Sequence, residues 1–208
     1  MSEQPPLSLP IDIDGVKGFL SKAEGEALYS CAAKLPSNSI AVEIGSYCGK
    51  STVYLGLGCK AAGSTLFAVD HHRGSEEHQP GEMFHDAELL DDVGAFSTLA
   101  SFRRTITAAA LDEVVIPVLS PSAQFARVWR GAVGMIFIDG GHSLDAALLD
   151  YRSWVGFIAS KGHLAIHDVY PGSEAGGQAP ITVYRLALAS GLCKEILAVD
   201  SLRILERL

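Results

Sequence analysis

The stretch IAVEIGSYCGKST, Ile40 to Thr52, decides the fold. Five mainly apolar residues, IAVEI, meet a glycine turn, and a helix-forming run follows. That order is a buried strand feeding a helix. The turn nearly spells the phosphate loop G-x-x-x-x-G-K-[ST]. Gly45 and Gly49, however, enclose only three residues. A loop one residue short cannot wrap its amides around a triphosphate in the usual geometry. Glu43 and Asp70, at neighbouring strand tips, would also repel one. A dinucleotide turn needs G-x-G-x-x-G, and Tyr47 and Lys50 stand where two of its glycines belong. Asp70 keeps the place of the acid that holds ribose hydroxyls. The ribose signal survives and the pyrophosphate signal fails, which implies a nucleoside ligand without phosphates.

Outward from this turn, strand and helix signals alternate. Short apolar runs at 40–44, 65–70, 113–119, 135–140 and 163–168 predict strands of a parallel sheet. Helical segments are expected near 50–62, 95–110, 122–130, 143–159 and 180–190. Trp129 and Trp154 fall on two of them as core residues. Such alternation predicts an α/β, doubly wound, Rossmann-like sheet. EILAVDSLRILERL (195–208) reads instead as two strands around Asp200-Ser201, an antiparallel C-terminal hairpin that brings the sheet to seven strands. Ahead of the sheet, residues 1–12 are Pro-rich and read as an arm. Ser21 and Glu24 form a capping box for a helix over 21–35. The expected organisation is an N-terminal arm and helix at 1–37 and a catalytic domain at 38–208.

The chain has 208 residues, 16 basic against 24 acidic, for a net charge of −8. That balance argues against a nucleic-acid surface, which shows as a basic stripe. Four scattered cysteines form no framework, and the N-terminus has no basic start with an apolar run. No segment is apolar for the length a membrane span needs. The expectation is a cytoplasmic protein without membrane or nucleic-acid partners; its apolar composition and arm suggest a homodimer.

Two later strand tips carry chemistry: FIDGGHS (137–143) and AIHDVY (165–170). Asp139, His142, His167 and Asp168 should converge at one end of the sheet. Two carboxylates with a neutral imidazole suit a hard divalent cation, Mg²⁺ or Mn²⁺. The polar, His-rich segment 71–92 follows the second strand, where such sheets bind ligands. Its Glu76, Glu77, His78 and His85 are candidates to complete the metal shell, and His71 and His72 to touch cofactor or substrate.

The pattern V-E-I-G-S-x-x-G-x-S-T resembles the first motif of class I S-adenosylmethionine-dependent methyltransferases. The resemblance spans roughly 38–208 and implies S-adenosylmethionine as methyl donor. It implies a donor site of Glu43, Gly45, Ser46, Tyr47, Gly49, Ser51, Asp70, His71, Ser120 and Asp139, with Asp70 on the ribose hydroxyls. The D-G-x-H tip is similar to that of small metal-dependent sugar O-methyltransferases. That likeness implies Asp139 and Asp168 as metal ligands, His167 as a further ligand, a group bonded to a ligand or a backbone-bonded core histidine, and His142 as general base. Within that group, the run Val69-Asp70-His71-His72-Arg73-Gly74-Ser75 and the tip D-G-G-H imply a 3-O-methylated mannoside acceptor, methylated at its 1-hydroxyl. Three rivals stand beside it: a catechol-type methyltransferase, a P-loop-like ATPase and a donor-binding sensor without catalysis. A phenolic acceptor calls for an apolar clamp, and segment 71–92 offers one Phe and one Met amid charges.

Overall fold

The computed structural model describes residues 7–75, 86–172 and 178–208. Its centre is a seven-stranded sheet in the order β3-β2-β1-β4-β5-β7-β6. The strands are β1 (Ile40–Ile44), β2 (Thr65–Asp70), β3 (Val115–Leu119), β4 (Val133–Ile138), β5 (Ile158–Ile166), β6 (Cys193–Val199) and β7 (Leu202–Arg207). The first five pair in parallel; β7 runs antiparallel to β5 and to β6. The helices are α1 (Lys22–Ala32), α2 (Lys50–Ala62), α3 (Leu99–Ala108), α4 (Ser122–Val128), α5 (Leu144–Trp154) and α6 (Ala179–Ala189).

The pleat divides the core in two. On β4, Met135 and Phe137 join the cluster beneath α1, α2 and α3, while Ile136 and Ile138 join the one beneath α4, α5 and α6. Central strands buried on both faces explain their unbroken apolar runs. Trp129 and Trp154 are core, as expected, in an aromatic cluster with Phe67, Phe125 and Phe157. α1 lies close on α2 because a Cβ on Gly25 would come within 2.4 Å of the Tyr54 ring.

Several element boundaries shift by up to four residues, as at the start of α3, and two larger differences change the organisation. The helix expected to reach residue 159 ends at Trp154, tightens into a 3-10 turn (Val155–Phe157) and enters β5 at Ile158, five residues early. A register shift between Val133 and Met135 absorbs the extra strand length. The Pro-rich start is no free arm from Leu7 onward: Leu7, Leu9 and Ile11 pack on the core, and Ile13 and Leu20 are buried. The four cysteines are buried and free. Among the described residues no helix is long and apolar enough to cross a membrane.

Chain order reverses between β1 and β4, which lie side by side. A crevice outside the carboxyl ends of strands opens at such a point. The tips of β1, β2, β4 and β5 therefore form the working end of the molecule.

Candidate active site

Gly45 follows β1 at φ 85°, and a Cβ there would stand 2.1 Å from the Asp139 carbonyl oxygen. Only glycine lets the β1 turn pass so close to the β4 tip. Tyr47, His72 and Asp168, at the tips of β1, β2 and β5, also adopt positive φ although none is glycine. Such strained backbone collects at functional sites.

Asp70 organises the turn. Its Oδ2 accepts the amides of Ser46 and Tyr47, each at 2.9 Å, and Oδ1 accepts that of His72 at 2.7 Å. Glu43 lies beneath, fully buried, accepting from Ser51 Oγ at 2.6 Å and Thr52 Oγ1 at 2.5 Å. Burial pushes its carboxyl up to about 7 against the pull of those two hydroxyls. The hydroxyls that a phosphate loop would spend on Mg²⁺ are thus bound to a carboxylate. Lys50 reaches back to the Gly18 carbonyl at 3.4 Å.

The tips enclose a cavity of about 470 Å³, within the size range of small-molecule sites. Gly45, Tyr47, Asp70, His71, Ser120, Asp139 and His142 line it. Glu43, Ser46 and Ser51 are buried behind the turn, and Gly49 packs on Phe102 and Thr105. These four shape the wall rather than line it. His72 is buried, its Nδ1 2.7 Å from Thr98 Oγ1. Glu76, Glu77, His78 and His85 lie outside the described residues.

Asp139, His142 and Asp168 come together: each offers one ligand atom, all within 4.8 Å of one another. His142 Nε2 stands 3.0 Å from Asp168 Oδ2. His167 lies beside this cluster and is not one of its three members. Its Nδ1–H donates to Asp139 Oδ1 at 3.1 Å and its Nε2–H to Glu24 Oε2 at 3.1 Å. Burial would lower its pKa, but the charge of Asp139 and the bonds to Asp139, Asp168 and Glu24 hold it well above the ordinary imidazole range. With both ring nitrogens bonded, His167 holds the carboxylates of Asp139 and Glu24 in place.

Glu24 is the residue that sequence reading missed in this role. It closes the expected capping box with Ser21, yet it is only 3% exposed and also accepts from Ser201 N at 2.9 Å and Ser201 Oγ at 2.7 Å. Burial raises its carboxyl, but the His167 bond, with those from Ser21 and Ser201, outweighs that and draws it down to about 2. For Asp168, burial is likewise outweighed by the bonds from His142 and His167, which hold it well below the usual carboxylate range. Three carboxylates (Glu24, Asp139, Asp168) thus face one imidazolium. The oxygen-rich donor set fits Mg²⁺ or Mn²⁺.

A nucleoside-sized cavity at a topological switch point, with an acid on β2 and an acid–imidazole cluster on β4 and β5, defines a Rossmann-like enzyme. The methyltransferase domain family matches residues 42–169, more than half of the chain, and the chain belongs to that family. The SAH-bound methyltransferase PaMTH1 of Podospora anserina superposes with a TM-score of 0.66 at 14% identity, over 91% of this chain and 80% of that one. An O-methyltransferase of Bacillus cereus in complex with SAH gives 0.63 at 15% identity, over 91% and 83%. A Streptococcus mutans protein in complex with SAH gives 0.60 at 14% identity, over 91% and 100%. At these identities the likeness is one of fold.

Proposed function

We propose that this enzyme transfers the methyl group of S-adenosylmethionine to a hydroxyl of a small sugar, assisted by Mg²⁺ or Mn²⁺ held by Asp139 and Asp168. The observation that carries the reading is the Asp139–His142–Asp168 cluster, whose Asp139 and His142 line a cavity that the Asp70-bound glycine turn also lines. SAH in structures of the same fold supports the donor, and the Bacillus cereus O-methyltransferase supports oxygen as acceptor.

A sugar hydroxyl is a poor nucleophile at neutral pH. A bound divalent cation lowers the pKa of an oxygen it coordinates. His142 donates Nε2–H to Asp168 at 3.0 Å, which orients the ring and puts the basic lone pair on Nδ1. That nitrogen takes the hydroxyl proton. The O–CH₃ bond forms as the S⁺–CH₃ bond breaks, leaving S-adenosylhomocysteine and a protonated His142, whose charge Asp168 balances. Asp70 would hold the ribose hydroxyls while the turn positions the sulfonium for in-line attack.

In its DHHRGS run and D-G-G-H tip the chain resembles the mycobacterial methylmannose polysaccharide 1-O-methyltransferase. We therefore place the acceptor among 3-O-methylated mannosides, methylated at the 1-hydroxyl, in polysaccharide biosynthesis in the cytoplasm.

Calorimetry with S-adenosylhomocysteine and with ATP, then mass analysis of mannosides and catechols incubated with the donor and Mg²⁺, tests the reading. Binding of S-adenosylhomocysteine and a one-methyl gain on a mannoside are expected. ATP binding without S-adenosylhomocysteine binding would overturn the donor; methylation of catechols alone would overturn the acceptor.

A further inference from the structure

The cavity has a further acid that the mechanism does not use. Ala146, Leu149 and Asp150 form the face of α5 that lines it. The Asp150 carboxylate accepts a hydrogen bond from Ser122 Oγ at the start of α4. Its other oxygen lies 2.7 Å from where a Cβ on Gly140 would stand, so glycine at 140 makes room for it. Burial raises its pKa, and the Ser122 bond and His71 only partly offset that. It is a half-buried acid in a ligand cavity, held in place by a neutral hydroxyl.

The strand order says which part of the donor reaches it. The tips run Ser120 (β3), Asp70 (β2), Gly45 (β1), Asp139 (β4), Asp168 (β5), about 4.8 Å apart per step. The transferred methyl must lie at the β4–β5 end, beside His142. A ribose on Asp70 is then two strands away, and the base extends further toward β3. There the cavity is walled by Val69, Pro121, Ala123 and Leu149, apolar surfaces suited to the faces of a flat ring. Ser122 and Asp150 supply its polar edge.

We propose that Asp150, held by Ser122, is the specificity-determining residue for the donor's base, accepting a hydrogen bond from the exocyclic 6-amino group of adenine. The inference rests on the S-adenosylmethionine reading above. A carboxylate offers only acceptors, so it favours an amino group at that edge and repels a carbonyl. Asparagine offers both a donor and an acceptor and tolerates either. The acids around the cavity then have separate roles. Asp139 and Asp168 serve the acceptor, Asp70 the ribose, and Asp150 the base.

The test compares calorimetric binding of S-adenosylhomocysteine, S-inosylhomocysteine and 5′-methylthioadenosine to the full chain and to Asp150→Asn, with thermal melts confirming that the variant is folded. Wild type is expected to prefer the adenosyl over the inosyl compound by roughly 10- to 100-fold, the value of a hydrogen bond to a charged group. Asp150→Asn is expected to bring the two within about threefold, and to weaken methylthioadenosine as much as S-adenosylhomocysteine. Undiminished discrimination in Asp150→Asn would overturn the inference. So would a loss seen with S-adenosylhomocysteine but not with methylthioadenosine, which would assign Asp150 to the amino-acid end. Failure of wild type to bind S-adenosylhomocysteine at all would instead remove the donor reading beneath it. Should the asparagine variant not fold, Ser122→Ala, which releases the carboxylate, is expected to lower the same discrimination; unchanged discrimination there overturns the inference equally.

Discussion

Replacing Glu24 by Gln tests whether the N-terminal helix is built into the active site. Glutamine keeps the capping-box position of α1 and nearly the same volume, so the substitution isolates the charge. Glu24 accepts four bonds at 2.7–3.1 Å, from Ser21 N, His167 Nε2, Ser201 N and Ser201 Oγ. A glutamine amide must turn its NH₂ toward two of these donors, Ser201 N and Oγ or Ser21 N and His167 Nε2, and leaves the His167 cation one anion short. Breaking a buried pair by removing one partner costs about 3–5 kcal/mol. Asp139 still holds His167 at 3.1 Å, so the low end, about 3 kcal/mol, applies. For a chain of this size that is a drop of roughly 6–12 °C in Tm. The Glu24 pKa is depressed to about 2 from 4.5, so its contribution is fully present above pH 4.5. It fades as the pH falls through 2. Thermal unfolding followed by circular dichroism at pH 7 and again at pH 3 measures both effects. The difference between wild type and Glu24→Gln should be large at pH 7 and smaller at pH 3. Methyl transfer should fall while S-adenosylhomocysteine affinity holds, because Glu24 acts on Asp139 and Asp168 and not on the donor turn. Variant and wild type melting within about 2 °C of each other at pH 7 would refute the reasoning.

Glu43→Gln should behave in the opposite sense. The buried carboxyl titrates at about 7 in the folded chain against 4.5 unfolded. The folded state therefore binds the extra proton, and wild-type stability falls as pH rises from 4.5 to 7 by about 3 kcal/mol. Urea unfolding across that range should show a flatter profile for Glu43→Gln, and parallel profiles would remove Glu43 as the cause. His142→Ala should keep S-adenosylhomocysteine affinity in calorimetry while methyl transfer drops about 10²–10⁴-fold. If Mn²⁺ affinity falls and turnover recovers at high Mn²⁺, His142 is a ligand and not the base.

Much of the working end was legible because buried parallel strands announce themselves. IAVEI, TLFAVD and MIFI are short apolar runs that stop at Gly or Asp or just before them, and HLAI stops one residue short of Asp168; such strand ends are where α/β sheets bind ligands. The shortened glycine turn was readable for the same local reason: Gly45 sits where no side chain fits. The C-terminal hairpin announced itself by its Asp200-Ser201 turn. What stayed hidden was long-range. Glu24 meets His167 across 143 positions and Ser201 across 177, and a capping-box glutamate gives no local sign of a second employment. Nothing in the helical run marks Asp150, which meets Ser122 across 28 positions at the start of α4. The end of α5 was misjudged because Val155–Phe157 continues its apolar pattern while the backbone tightens.

The central claim is methyl transfer from S-adenosylmethionine to a sugar hydroxyl with a divalent cation at Asp139 and Asp168. Its most direct test is transfer to a 3-O-methylated mannoside by EDTA-stripped enzyme, with and without added Mg²⁺ or Mn²⁺, with the product's methyl position read by NMR. The account predicts a 1-O-methyl product that forms on addition of the cation and not in EDTA. Full transfer by the stripped enzyme, or no methylated sugar with the cation present, would contradict it.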